Sequence, residues 1–266
     1  MKSPTVSSSV SVVIPVKCID EFTLDSIRSV VDQSENVLEV IIVCDYRLCS
    51  EVDRLVVMAG FCKKANIKIV NPKIRGISAA LNAGINNSSG DYIVRMDSDD
   101  LSLPNRIETQ RRILDANKSI NVLGSNAELI DKNGLTIKEK MMSYPTGLTC
   151  LKSRTIVKNP IIHPTVMMRR ECLEDVGGYT PIFSEDFDLW IRIIDKFPES
   201  IYVTDDVLLK YRRHENQLST QAYWNSQLAV LAVMFKSAIT RPTSIKIFSF
   251  WLIAIKLVAI KIKGVK

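Results

Sequence analysis

The chain has 266 residues, of which 46% are hydrophobic, and carries 35 basic and 29 acidic residues for a net charge of +6. That length builds a sizeable core in one domain with room for an appendage, and ten glycines and ten prolines are too few for a disordered or fibrous chain. The six cysteines form no CxxC pair and no secretory signal opens the chain, so reduced cytosolic thiols are expected, with neither disulfides nor zinc. The charge is uneven. Beyond Glu215 there are seven bases and no acid, which leaves residues 1–215 with 28 bases against 29 acids. A nucleic-acid partner is not expected, because basic residues interleaved with aromatics do not run across the body.

Short apolar runs alternate with amphipathic stretches through the first hundred residues. Val10 to Ile14 reads as a strand stopped by Pro15, and Phe22 to Gln33 has helical spacing. Strands are predicted at Val37–Cys44, Ile67–Val70 and Tyr92–Met96, with helices at Val52–Cys62 and Ile77–Ile85 between them. This alternation implies a parallel sheet covered on both faces, with ligands at the C-terminal ends of its strands. Pro104 opens a helix running to about Ala116, whose Arg106, Glu108, Arg111 and Arg112 read as a solvated face. A hairpin is expected around Lys132-Asn133-Gly134, after a strand signal at Asn121-Val122-Leu123. Thr165–Met168 reads as strand, Gly177-Gly178 as turn, Glu185–Asp195 as helix and Val207–Tyr211 as the final strand.

Two acidic clusters stand out. Asp97-Ser98-Asp99-Asp100 follows the Tyr92–Met96 run, and Ser184-Glu185-Asp186-Phe187-Asp188-Leu189-Trp190 opens the later helix. Carboxylates crowded at a strand end repel one another, and a hard divalent cation such as Mg²⁺ or Mn²⁺ is the usual counterweight. A helix-capping turn explains one aspartate ahead of Pro104 but not three. The second cluster also suits the first turn of a helix, where negative charge is favoured. Leu189, Trp190 and Ile193 read as core.

Several elements in order carry a resemblance: Val12-Val13-Ile14-Pro15, Asp45, Gly76 to Gly84, Gly90-Asp91-Tyr92-Ile93, Asp97-Ser98-Asp99-Asp100, His163-Pro164-Thr165, Val176-Gly177-Gly178-Tyr179 and Glu185 to Trp190. Over roughly residues 9–220 the chain resembles the inverting family-2 glycosyltransferases of bacterial surface-polysaccharide assembly. The resemblance implies an α/β fold of GT-A type, with a Rossmann-like mixed, mostly parallel central sheet flanked by helices. It implies Mn²⁺ or Mg²⁺ as cofactor, Asp99 as direct metal ligand, Asp97 on metal or ribose, and Asp186 as general base.

By the same resemblance Pro15 and Val16 flank the nucleotide base, Asp45 accepts from a uracil ring, and Arg75 and Asn82 lie near ribose or phosphate. Val16-Lys17-Cys18 and Asp45-Tyr46-Arg47 depart from the family pattern, so UDP is favoured while dTDP and GDP stay open, and Asp45 could be a simple turn residue. His214 is either a third metal or phosphate ligand or a surface-loop histidine. Arg212 and Arg213 are either diphosphate partners or solvated charges. His163 lines the acceptor pocket or is structural. The implied substrates are a UDP-sugar and a polyprenyl-diphosphate-linked saccharide. A sugar nucleotidyltransferase would place a glycine-rich basic loop where Pro15-Val16-Lys17-Cys18 stands; a non-catalytic nucleotide-sugar or membrane-binding module is the other alternative.

Residues 221–266 are set apart from a 1–220 catalytic domain as a helical, basic-amphipathic membrane-association segment. Within Ser244–Ile262 the longest uncharged stretch is nine residues, Ile247 to Ile255, far short of the roughly 20 needed to span a bilayer. On a helical wheel Lys246, Lys256, Lys261 and Lys263 fall within about 160°, opposite Ile247, Phe248, Trp251, Ile255, Val258 and Ile262. The expectation is a helix lying on the inner face of the cell membrane, its lysines reaching for headgroups. A core or dimer helix is the alternative.

Overall fold

The computed structural model describes residues 8–33, 37–151, 159, 161–215, 223–242, 246–248 and 250–255. Four parallel strands, β1 (Val10–Val16), β2 (Glu39–Cys44), β3 (Ile67–Val70) and β4 (Tyr92–Arg95), lie in the order β3-β2-β1-β4. Helices α1 (Thr23–Val31), α2 (Tyr46–Met58) and α3 (Ile77–Asn86) connect them. Every residue of β1, β2 and β4 is buried, as their mostly apolar character suits a sheet covered on both faces, with Ser11, Glu39 and Arg95 the polar residues among them. Chain order reverses direction at β1, which lies between β2 and β4, so the crevice above their C-terminal ends is the natural ligand position.

Two boundaries differ from the sequence expectation for local reasons. Pro15 does not stop β1, which runs on to Val16. The β4 ladder ends at Val13↔Arg95 while β2 continues beside Pro15, so the missing proline N–H falls where one strand edge is already free. Helix α2 starts at Tyr46, six residues before the apolar periodicity begins, because the Asp45 side chain caps it by accepting from Arg47 N at 3.1 Å.

The chain continues through β5 (Leu101–Ser102), α4 (Arg106–Ala116), β6 (Val122–Ile130), β7 (Thr136–Lys138), β8 (Leu148–Cys150), β9 (Met167–Arg169), α5 (Arg170–Val176), α6 (Glu185–Lys196) and β10 (Ile201–Arg212). The sheet extends β4-β9-β6-β10-β5, with β7 on β6 and β8 on β10. β9 runs antiparallel to β4 and β6, and β6 and β10 are parallel. The expected Thr165–Met168 strand is split into a 3-10 turn at His163–Thr165 and β9. β10 begins six residues earlier than its clean apolar run, because register shifts between Val203 and Leu209 interrupt the alternation around Asp205 and Asp206.

One face of the sheet packs on α1, α2 and α4 through Ile27, Val30, Val52, Val56, Ile107 and Leu114. The other packs on α3, α5 and α6 through Leu81, Ile85, Leu173, Leu189, Trp190 and Ile193, the last three fully buried as expected. Arg106 corrects the solvated-face reading of α4. It is fully buried, donates from Nη2 to the carbonyls of Arg95 (3.0 Å) and Pro164 (2.8 Å), and bonds Gln110 through Nε.

The C-terminal region packs against α6. Helix α7 (Tyr223–Thr240) contributes Val233 and Met234, and Ile253 from the helical residues 250–255 joins them on Phe187 and Ile191. Lys246 contradicts its expected place among headgroup-seeking lysines: it is 4% exposed, with Nζ 2.5 Å from Asp195 Oδ1. A helical wheel drawn on the segment alone cannot register Asp195, 51 residues upstream. Ile247, Phe248, Trp251 and Ile255 remain exposed; Lys256, Val258, Lys261, Ile262 and Lys263 lie outside the described residues.

Gly84 lets α3 sit directly on β1 and β2. A Cβ there would come within 2.3 Å of Val13 Cγ1 and 3.1 Å of Val43 Cγ2. Gly84→Ala is therefore expected to cost about 1–3 kcal/mol through overpacking, read as a lower urea midpoint; an unchanged midpoint would show that α3 sits more loosely.

Candidate active site

The site begins with Arg95, a lone charge at the end of β4. Its side chain is 7% exposed and grips Asp97 with both terminal nitrogens, Nη1 to Oδ2 and Nη2 to Oδ1, each at 2.6 Å. The two-pronged geometry fits guanidinium to carboxylate. Ser26 Oγ on α1 donates to the Asp97 carbonyl at 2.9 Å, fixing the turn that follows.

The far side of that turn is held from β10. Arg212 N donates to Asp100 Oδ1 (2.9 Å), and Arg212 Nε donates to the Asp99 carbonyl (2.9 Å). The Arg212 guanidinium also stacks 4.4 Å over the Phe22 ring and donates to the Asp131 and Lys132 carbonyls. Arg212 is thus a buried structural clamp rather than a solvated charge, while Arg213 is exposed. His214 Nε2 lies 2.8 Å from Asp99 Oδ2, against the Phe22 ring.

Ligand oxygens of Asp97, Asp99 and Asp100 all lie within 4.8 Å of one another. Asp100 Oδ2 is buried with no hydrogen-bond partner among the described residues. Burial, followed by the charges of Asp97 and Asp99, pushes the Asp100 carboxyl well above its usual range. Burial likewise raises Asp97, with Arg95 opposing the shift. This is a place short of positive charge, and hard oxygen donors with an adjacent imidazole fit Mg²⁺ or Mn²⁺.

Opposite lies the start of α6. Ser184 takes a left-handed conformation (φ 59°) that turns the chain into the helix, a geometry that costs a non-glycine residue about 1 kcal/mol or more. Asp186 follows on the first turn, its Oδ1 accepting from Phe187 N (2.8 Å) and its Oδ2 from Asn159 Nδ2 (2.5 Å). Burial raises the Asp186 carboxyl and these donors pull it back. Burial and the Asp186 charge push Glu185 up to about 7. Behind them the buried His163 ring meets Tyr179 Oη at 2.9 Å through Nε2, and its Nδ1 lies 3.9 Å from Glu185. Burial, aided by the Arg95 charge, keeps His163 well below its ordinary pKa and hence neutral. Asp188 is structural, paired with Arg192 (2.7 Å) and Thr180.

Residues 11–177 match the family described as Glycosyl transferase family 2. The chain belongs to the family 2 glycosyltransferases. Over 220 residues this glycosyltransferase is 33% identical to the O-antigen biosynthesis glycosyltransferase WbnJ of Escherichia coli, covering 81% of this chain and 84% of that one. Over 196 residues it is 30% identical to the UDP-Gal:alpha-D-GlcNAc-diphosphoundecaprenol beta-1,3-galactosyltransferase of Escherichia coli, covering 72% and 69% of the two chains. The S. aureus TarS 1-349 structure in complex with UDP-GlcNAc has the same fold, with a TM-score of 0.67 at 21% identity; the match covers 87% of this chain and 66% of that one.

Among the residues singled out in the sequence, the glycosyltransferase fold brings Asp97, Asp99 and His214 together. Pro15 and Val16 end β1, and Asp45 caps α2 with Arg47 (2.9 Å) and Arg75 (3.4 Å) upon it. Asn82, expected near ribose or phosphate, is engaged by the Tyr179 backbone. Its Nδ2 donates to Tyr179 O and its Oδ1 accepts from Tyr179 N, both at 2.8 Å, so its amide latches α3 to the turn after α5. Sequence reasoning missed Arg95, Asn159 and Tyr179. A charged residue inside an otherwise apolar strand was the available signal for Arg95; nothing local marks Asn159.

Between pH 4.5, the ordinary Glu value, and about 7 the folded chain retains a proton on Glu185 that the unfolded chain releases. Glu185 therefore lowers stability as pH rises through that window. Glu185→Gln is expected to gain stability over the parent progressively from pH 4.5 to 7, read from denaturant midpoints. A difference constant with pH would place Glu185 in a solvated position.

Proposed function

We propose that this glycosyltransferase transfers a hexose or N-acetylhexosamine from a UDP-sugar to a hydroxyl of a polyprenyl-diphosphate-linked saccharide, inverting the anomeric configuration, in O-antigen- or capsule-type polysaccharide assembly. The observation that carries this reading is the pairing of an aspartate cluster suited to a cation with a separately held, half-buried Asp186. The UDP-GlcNAc complex of the structural neighbour and the diphosphoundecaprenol-linked acceptor of the galactosyltransferase relative support the substrate classes.

Asp99, with Asp97 and His214 beside it, would hold Mn²⁺ or Mg²⁺. When bound, the ion neutralises charge developing on the departing diphosphate. Pro15, Val16 and Asp45 border the base, and Arg75 stands at the entrance to α3. Asp186 accepts the proton of the acceptor hydroxyl as its oxygen bonds to the anomeric carbon and the bond to the diphosphate oxygen breaks. The Asn159 and Phe187 donors favour the ionised carboxylate against the burial that raises it, and proximity to the hydroxyl decides its efficiency. An α-linked donor should give a β-linked product, identified from the anomeric coupling constant in proton NMR. An α-linked product would contradict single displacement. Asp186→Asn should lower turnover by at least 10²-fold with UDP affinity unchanged.

We place the enzyme peripherally on the inner face of the cell membrane. No helix among the described residues is long and apolar enough to cross a membrane. Phe235, Ile239, Phe248, Trp251 and Ile255 are each more than half exposed on the C-terminal helices, in a region whose sequence carries no acid and six bases besides Lys246, which is paired with Asp195. That pairing of apolar surface with positive charge suits an anionic bilayer. Joint Phe248→Ser and Trp251→Ser substitution should reduce cosedimentation with phosphatidylglycerol vesicles several-fold while leaving the melting temperature unchanged; undiminished binding would remove this face from the interaction.

A further inference from the structure

Asp186 is held from two directions that have different origins in the chain. The Phe187 amide comes with the first turn of α6 and would be present whatever residue stood elsewhere. Asn159 comes from the connection between β8 and the His163 turn, 27 residues upstream. Its own orientation is set, because Asn159 Oδ1 accepts from Ile161 N at 3.3 Å and this directs Nδ2 toward Asp186. One donor on each oxygen holds the carboxylate plane, and each oxygen keeps lone-pair capacity for a further hydrogen bond.

We propose that Asn159 is the positioning residue for Asp186, aiming its carboxylate at the acceptor hydroxyl. This rests on Asp186 being the general base. Asp186 sits beside Glu185 and within the field of Asp97, so a neutral donor is the partner that orients it without adding negative charge. An acid at 159 would keep the shape and reverse the electrostatics. The effect falls on proton removal, because Asn159 bonds the base and makes no bond to Asp97, Asp99 or Asp45.

The test measures UDP release from UDP-galactose and UDP-GlcNAc with Mn²⁺ in Asn159→Ala, Asn159→Asp, Asp186→Asn and the Asn159→Ala/Asp186→Asn double variant. Asn159→Ala should lower kcat about 10- to 100-fold, the scale of a misplaced catalytic group, with the UDP Kd unchanged. The isosteric Asn159→Asp should be slower still. The double variant should be no slower than Asp186→Asn alone. An equal loss from Asn159→Ala in both backgrounds, or a loss confined to UDP affinity, would overturn the positioning role. A parental rate in Asp186→Asn would instead overturn the general-base reading. Independently of turnover, the Asn159 side-chain amide NMR signal should shift in Asp186→Asn protein; an unmoved signal would also overturn the proposal.

Discussion

Crowded negative charge at the C-terminal end of β4 is the constraint on which the rest of the molecule depends. Asp97, Asp99 and Asp100 stand on one side, with Glu185 and Asp186 opposite. Three arginines hold this arrangement, each in a different way. Arg95 binds the Asp97 carboxylate, Arg212 ties Asp99 and Asp100 to β10, and Arg106 bonds the Arg95 carbonyl from α4. A buried charge stripped of its partner costs about 3–5 kcal/mol, so β4, β10 and α4 are tied to the geometry of the site. Asp100 Oδ2 nevertheless has no hydrogen-bond partner among the described residues, and an oxygen of this kind is open to a divalent cation.

The parallel half of the fold was legible because each strand is a mostly apolar run and each helix an amphipathic one. Legibility failed where a partner lies far along the chain. Arg106 meets Pro164, Lys246 meets Asp195, Arg212 meets Asp131, and Asn82 meets Tyr179. Each looks solvent-seeking or ligand-seeking in its own neighbourhood, and each is engaged by a backbone or carboxylate that local pattern cannot reveal. The start of α2 failed for a related reason, since a capping aspartate and not periodicity fixes it. In the site, Asp97 and Asp99 stood out as a carboxylate cluster at a strand end, whereas His214 was placed beside them only by the resemblance and was equally readable as a surface-loop histidine. Arg95 and Asn159, which hold the carboxylates from behind, were not legible.

Helix α6 joins two regions that the sequence alone treats separately. Its N-terminus carries Glu185 and Asp186, and near its C-terminus Asp195 receives Lys246, Ser237 and the Arg241 guanidinium. Twelve residues of helix span about 18 Å. The exposed apolar face of the C-terminal helices is therefore mounted on the element that bears the proposed base. In the proposed function, a surface bound to that face would sit at a fixed distance from the reacting centre, a useful constraint for an acceptor carried on a lipid.

Calorimetric titration of UDP into the parent protein and Asp99→Asn, each in Mn²⁺ and in EDTA, tests the central claim most directly. The account predicts that UDP binds the parent in Mn²⁺ and at least tenfold more weakly in EDTA, and that Asp99→Asn erases most of this difference. Equal affinity in Mn²⁺ and EDTA, or a metal effect undiminished in Asp99→Asn, would contradict it.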